Sequence, residues 1–195
     1  MKNKKVVVTG SGGFIGSHLV EELLLQGAEV TAFVRYNSRS DFGFINNIKN
    51  DNLKIYQGDL RDLDSVSNAL KGNEIVFHLG ASVGIPYSYE NPWDAFETNV
   101  KGTLNVLTAV KNFDLDRMIH TSTSETYGTA QYTPMDELHP LKGQSPYSAS
   151  KIAADKLAES FWLSYDTPIS TVRPFNTYGP RQSARAIIPT IINQI

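Results

Sequence analysis

The stretch Lys5-Val6-Val7-Val8-Thr9-Gly10-Ser11-Gly12-Gly13-Phe14-Ile15-Gly16-Ser17-His18-Leu19 passes from a β-branched run through glycines into apolar residues at helical spacing. It reads as strand, tight turn, helix. Gly10, Gly13 and Gly16 permit a sharp turn, a close backbone approach to a ligand and tight packing of helix on strand, while the first N–H groups and positive dipole end of the new helix face the turn. Such a turn is a cradle for a pyrophosphate. The same glycines also suit a turn that needs them for backbone angles alone. The position of the unit, near the N-terminus and directly after an apolar strand, favours the ligand-binding reading.

Working outward, apolar β-like runs alternate with helical patterns. Strands are expected at Val6–Thr9, Ala28–Val34, Leu53–Gln57, Glu74–Leu79, Arg117–Thr121 and Ile169–Val172, and helices at Phe14–Gln26, Leu63–Leu70, Asp94–Asn112 and Tyr147–Tyr165. Ser145 supplies an N-cap and Pro146 a first-turn residue for the last helix, and Pro168 lies just beyond its end. This alternation predicts an α/β fold of the Rossmann type, a doubly wound parallel sheet with ligands at the carboxyl ends of its strands. No internal repeat, low-complexity tract or linker is visible.

Composition narrows the function classes. A chain of 195 residues with 41% hydrophobic content can bury one substantial core. The net charge of −2 gives no basic footprint for nucleic acid. The Lys-rich start leads into a valine run too short for a signal-peptide core, and no segment is long enough to span a membrane. The absence of cysteine excludes disulfides and thiolate ligands and fits a cytoplasmic protein. His18, His78, His120 and His139 show no metal-ligand spacing, so no metal site is expected and they read as structural or surface residues.

Strand two departs from the simplest dinucleotide pattern, because it ends in Val34-Arg35-Tyr36-Asn37-Ser38-Arg39 rather than in a carboxylate that would hold the adenosine ribose. Arg35 could instead accept a 2′-phosphate, tilting the cofactor from NAD toward NADP, or could be a solvated loop arginine. After strand three, Asp59 and the backbone N–H of Leu60 are placed to read an adenine edge. The other reading makes Asp59 the cap of the helix beginning near Asp62.

The chemical signal lies further on. Tyr147-Ser148-Ala149-Ser150-Lys151 puts a phenol and an ammonium at i and i+4 on one helix face, where the cation would lower the phenol's pKa and make Tyr147 a general acid/base. Thr121-Ser122-Thr123-Ser124-Glu125-Thr126-Tyr127-Gly128 follows strand five, at the carboxyl edge of the sheet. Its hydroxyls can bond a substrate alcohol and Glu125 can take a proton; a Ser/Thr-rich turn with a solvated glutamate is the plainer alternative.

Together these pieces resemble the extended short-chain dehydrogenase/reductase family, the nucleotide-sugar epimerases and dehydratases. Thr9-Gly10 through Gly16, including Gly12, Gly13, Phe14 and Ile15, is similar to its cofactor loop. Phe77-His78-Leu79-Gly80-Ala81 is similar to its strand-four segment, Asn99-Val100-Lys101-Gly102-Thr103 to its asparagine helix, and Ser145-Pro146-Tyr147 with Lys151 to its catalytic helix. Arg173 to Arg181, with Asn176, resembles its substrate-side loop. The resemblance implies an NAD or NADP cofactor held by Gly10 to Gly16, Arg35, Asp59, Leu60, Leu79, Ala81, Asn99, Tyr147 and Lys151, a nucleotide-sugar substrate touching Asn176, and a homodimer.

Counted back from Tyr127-Gly128, the family's catalytic hydroxyl falls on Thr123, with Ser124 and Glu125 at the positions that separate its subfamilies. Thr-Ser-Glu is similar to that of GDP-mannose 4,6-dehydratases and of UDP-glucuronate decarboxylases, and the longer stretch Thr121–Gly128, with Gln144–Lys151 and Pro174–Arg181, resembles 4,6-dehydratases of the legionaminic-acid type; a 4-epimerase, a UDP-glucuronate decarboxylase and a non-catalytic cofactor-binding module stay open. The dehydratase reading implies oxidation at C4 assisted by Tyr147, Thr123 and Lys151, removal of the C5 proton by Glu125, departure of the C6 hydroxyl aided by Ser124, and hydride return to C6. Residues 1–181 are then the cofactor-binding domain with the catalytic residues, and residues 182–195 the start of a substrate-binding portion that is largely missing. Isoleucines at near-helical spacing from Ile187 to Ile195 would form an apolar stripe that either awaits a cover or folds back on the core.

Overall fold

A computed structural model describes residues 1–194; Ile195, the last of the C-terminal isoleucines, lies outside the described residues. At its centre β1 (Lys5–Thr9) pairs in parallel with β2 (Glu29–Arg35) on one side and β4 (Ile75–His78) on the other. With β3 (Leu53–Gly58), β5 (Arg117–Thr121) and β6 (Ile169–Val172) the six-stranded order is β3-β2-β1-β4-β5-β6, every neighbouring pair parallel. This is the order of a dinucleotide-binding Rossmann sheet, with its switch point between β1 and β4.

Alternation along β1 builds both faces of the core. Val6 and Val8 join Val20, Leu23, Val30 and Ile45 on the face covered by α1 (Phe14–Leu25). Val7 points the other way, into a cluster with Val66, Leu70, Leu107, Val110 and Met118, formed with α2 (Leu63–Leu70) and the long helices that follow. The three valines are fully buried, each contributing about 1.5–3 kcal/mol of apolar burial.

One expected element is broken up. The single helix Asp94–Asn112 is instead α4 (Pro92–Phe96), a π-type turn over Glu97–Lys101 and α5 (Gly102–Phe113), preceded by α3 (Ile85–Glu90), which the sequence pattern did not suggest. Pro86 and Pro92 each sit in a first turn and so start separate helices. The widened turn directs Asn99 inward, where its amide donates to the Ser82 carbonyl and the Ser150 hydroxyl and its oxygen accepts from the Ser82 N–H. By contrast α6 (Pro146–Tyr165) starts as its sequence signals, with Ser145 and Ser148 in a reciprocal capping box. Strand and helix ends elsewhere differ from expectation by a residue or so.

At the C-terminal end, α7 (Ile187–Ile192) buries none of its residues, and Ile187, Ile188, Ile191 and Ile192 are 40–71% exposed. Over Ile187–Ile192 the stripe does not fold back on the core.

Candidate active site

The carboxyl ends of β1, β4 and β5 open into a cleft of about 800 Å³. Gly10 to Gly16 form its floor. Gly10 takes a positive φ of 70° against Gly80, and α1 packs so tightly that a Cβ on Gly16 would stand 2.2 Å from the Gly10 carbonyl oxygen. Gly13 is different. It is the exposed N-cap of α1, at φ −82°, and a Cβ there would meet only the Gly10 oxygen at 3.3 Å. The N–H groups of Phe14, Ile15 and Gly16, in the first turn, have no acceptor within the helix and lie at the lining of the cleft. An anion fits here.

Thr9 ties this floor to β4. Its hydroxyl accepts from the N–H groups of Leu79 and Gly80 at 3.1 and 2.9 Å and bonds Nδ1 of the buried His78 at 2.8 Å. On the other side, the loop after β2 folds over the glycines: Phe44 N–H donates to the Gly12 carbonyl, a Cβ on Gly12 would stand 2.4 Å from the Phe42 carbonyl oxygen, and one on Gly43 2.3 Å from that of Gly12. Asn37, Asp41 and Phe42 of this loop line the cleft. The sequence reading missed them, since the loop has no periodicity; the signal available was Asn37 and Asp41 ahead of Gly43, which form a hydrogen-bonded turn.

At the far end, Arg35, Asp59 and Leu60 line a side pocket of about 200 Å³ together with Ala81 and Asp94. Asp59 caps no helix. Asp62 caps α2, and the Asp59 carboxylate is gripped by Arg61 at 2.6 and 2.9 Å, which holds it below the usual carboxylate range. Asn99 is buried behind Ser82, where its hydrogen bonds shape the segment after β4.

The acid–base residues converge on the cleft. Thr123, Ser124, Glu125, Tyr147 and Lys151 all line it, as do Leu79, Ala81 and Asn176. Thr123 caps a short 3-10 turn over Ser124–Thr126, leaving Glu125 exposed. Lys151 is buried, 3% exposed, and donates to the Thr121 carbonyl at 2.9 Å; burial lowers its pKa to about 8. Tyr147 corrects the expectation drawn from spacing. Burial pushes its phenol above the ordinary value, the Thr123 hydroxyl opposes this, and the Glu125 charge adds to it. The protein alone therefore holds Tyr147 as a neutral phenol at neutral pH. No group of histidines and acids suited to a metal occurs among the described residues.

A parallel sheet in this order, a glycine cradle at its switch point and a Tyr-x-x-x-Lys helix at its carboxyl edge are the architecture of the short-chain dehydrogenase/reductase class. The family model described as GDP-mannose 4,6 dehydratase matches residues 7–195, and the chain belongs to that family of nucleotide-sugar dehydratases and epimerases. It is 32% identical to a dTDP-D-glucose 4,6-dehydratase of Dictyostelium discoideum, over 97% of this chain and 48% of that protein. Among solved structures it is similar to a UDP-N-acetylglucosamine 4-epimerase from Methanobrevibacter ruminantium, at 34% identity and a TM-score of 0.88, over 100% of this chain and 64% of that one. A dTDP-glucose 4,6-dehydratase double mutant from Streptomyces venezuelae with NAD bound matches at 29% identity and a TM-score of 0.89, over 97% and 61%. The chain thus spans about half to two-thirds of the length of these relatives.

Proposed function

We propose that the protein is a nucleotide-sugar 4,6-dehydratase. The observation that carries this reading is Glu125, a carboxylate exposed to the cleft, two residues from Thr123 and close enough to Tyr147 to affect its titration. An elimination needs a second base beside the group that handles the C4 hydroxyl, because a sugar C5–H is acidic enough to remove only once C4 is a ketone. A nicotinamide dinucleotide, which fits the glycine cradle, supplies the hydride acceptor and a positive charge that favours the phenolate. Tyr147 takes the C4 hydroxyl proton, with the Thr123 hydroxyl holding the alcohol and Lys151 supplying the adjacent cation. Glu125 then removes the C5 proton, Ser124 assists departure of the C6 hydroxyl as water, and return of the hydride to C6 would restore the oxidised cofactor, leaving a net loss of one water.

The test is Glu125→Gln with a panel of UDP-, GDP- and dTDP-hexoses, products followed by mass. Loss of water by the wild type, and retention of C4 oxidation with dehydration reduced about 100-fold or more in the variant, is the expected result. Dehydration at the wild-type rate removes Glu125 as base. A wild-type product of unchanged mass supports the second reading, a 4-epimerase, which the likeness to the Methanobrevibacter ruminantium enzyme favours.

Arg35 is exposed at the end of β2 and lines both the cleft and its side pocket, with the nearby Asp59 already engaged by Arg61. If it reads a 2′-phosphate, Arg35→Ala weakens NADP about tenfold or more while leaving NAD nearly unchanged. Equal losses, measured by titration calorimetry, remove Arg35 as the deciding residue. Exposed Trp93, Phe96 and Leu104 support a homodimer, for which light scattering should give twice the chain mass.

A further inference from the structure

Behind the catalytic helix face lies a buried ionic cluster that the mechanism above does not use. Asp155, one helical turn beyond Lys151 on α6, is 5% exposed. Its Oδ1 is bonded to Nε2 of the fully buried His120 on β5 at 3.1 Å, and its Oδ2 accepts from Nε of Arg173, after β6, at 3.0 Å and forms an ion pair with Nη2 of the same guanidinium at 3.0 Å. Arg173 in turn donates to the Tyr127 hydroxyl at 3.2 Å, and the Tyr127 ring stacks on Phe175 of the cleft wall. A single carboxylate thereby joins the catalytic helix, the strand leading to Thr123 and the segment leading to Asn176.

The charges around Lys151 make this carboxylate decisive. Tyr147 and Asp155 lie four residues to either side of it on its own helix, His78 is near it on β4 and His120 on β5, with Glu125 near Tyr147 and Arg173 paired to Asp155. Burial keeps His78 well below its ordinary pKa and lowers His120 too, so both rings are neutral near pH 7. Among the described residues Asp155 is the acidic group that offsets the desolvation of Lys151. Burial alone would raise the Asp155 carboxyl, but His120 and Arg173 more than compensate and keep it ionised.

We propose that Asp155 is a positioning residue for the Tyr147–Lys151 pair: clamped between His120 and Arg173, it supplies the buried counter-charge that keeps Lys151 an ammonium, and it fixes the two cleft walls to the catalytic helix. The proposal rests on the acid–base role of Lys151 in the reading above, yet its test needs neither cofactor nor substrate. Failure here and failure of that reading are therefore distinguishable.

The experiment is an NMR titration of the chain labelled in lysine, with the Lys151 side-chain signal assigned by its loss in Lys151→Arg. In the wild type the midpoint should lie near 8. Asp155→Asn, which keeps the shape and removes the charge, should lower it by about one unit or more. Since that variant leaves Arg173 unpaired in a partly buried place, the double variant Asp155→Asn with Arg173→Met, which removes both charges, provides the same test in a better balanced background. His120→Leu removes the Nε2 donor to Asp155 without altering charge, so its Lys151 midpoint should stay near that of the wild type. An unchanged midpoint in both Asp155 variants overturns the proposal, and so does a fall in His120→Leu as large as that in Asp155→Asn, which would assign the effect to packing.

Discussion

Tyr147→Phe is expected to lower the rate of C4 oxidation about 10²–10⁴-fold, the range spanned by a positioned general base, while leaving cofactor affinity and folding nearly intact. The side chain is 7% exposed and its ring is held by packing at the start of α6, where the Tyr147 N–H donates to the Ser88 hydroxyl at 3.2 Å. Deleting one oxygen keeps those contacts. What is lost is the acceptor for the substrate proton, which neither Thr123 nor Lys151 replaces: the first is a hydroxyl of far higher pKa, and the second is an ammonium at neutral pH with a pKa of about 8. The measurement is the absorbance of reduced nicotinamide after wild type and variant are mixed with oxidised cofactor and a nucleotide-sugar panel. A variant that reduces the cofactor within tenfold of the wild type would remove Tyr147 from the chemistry.

The outline of this site could be read before any coordinates because its parts are local. The β1 turn needs residues in one short window, the Ser145 cap and the Tyr147–Lys151 spacing lie within one turn or two of each other, and the Thr123–Glu125 turn is contiguous. What spacing hid is whatever depends on contact between distant segments. The interruption before α5 comes from prolines acting as helix starters and from Asn99 bonding to Ser82, 17 residues back. The Asp155 cluster joins residues separated by 35 and 18 positions, so its sequence trace was only that Asp155 follows Lys151 by the same four residues that separate Lys151 from Tyr147. Likewise, an i, i+4 phenol and ammonium suggested a lowered phenol pKa, but the sign is set by desolvation, which depends on the covering structure.

The second large effect concerns the glycine floor, where two neighbouring glycines should fail in different ways. Gly13→Val should abolish dinucleotide binding while leaving a folded protein, because the backbone at Gly13 is extended, with φ −82° and ψ −177°, and a Cβ meets nothing closer than 3.3 Å. β-branched residues adopt such angles readily. The added methyls would stand in front of the first-turn N–H groups, costing two or more charge-assisted hydrogen bonds to the pyrophosphate at about 1.5–3 kcal/mol each, or roughly 10²–10⁴ in affinity. Gly16→Val, by contrast, drives its Cβ to 2.2 Å from the Gly10 carbonyl, so α1 must leave β1 and the chain should lose its cooperative thermal transition. Calorimetric titration with NAD and NADP, alongside thermal unfolding of both variants, separates the two roles. Full-strength binding by a folded Gly13→Val protein would show that this turn is glycine-rich for its backbone alone.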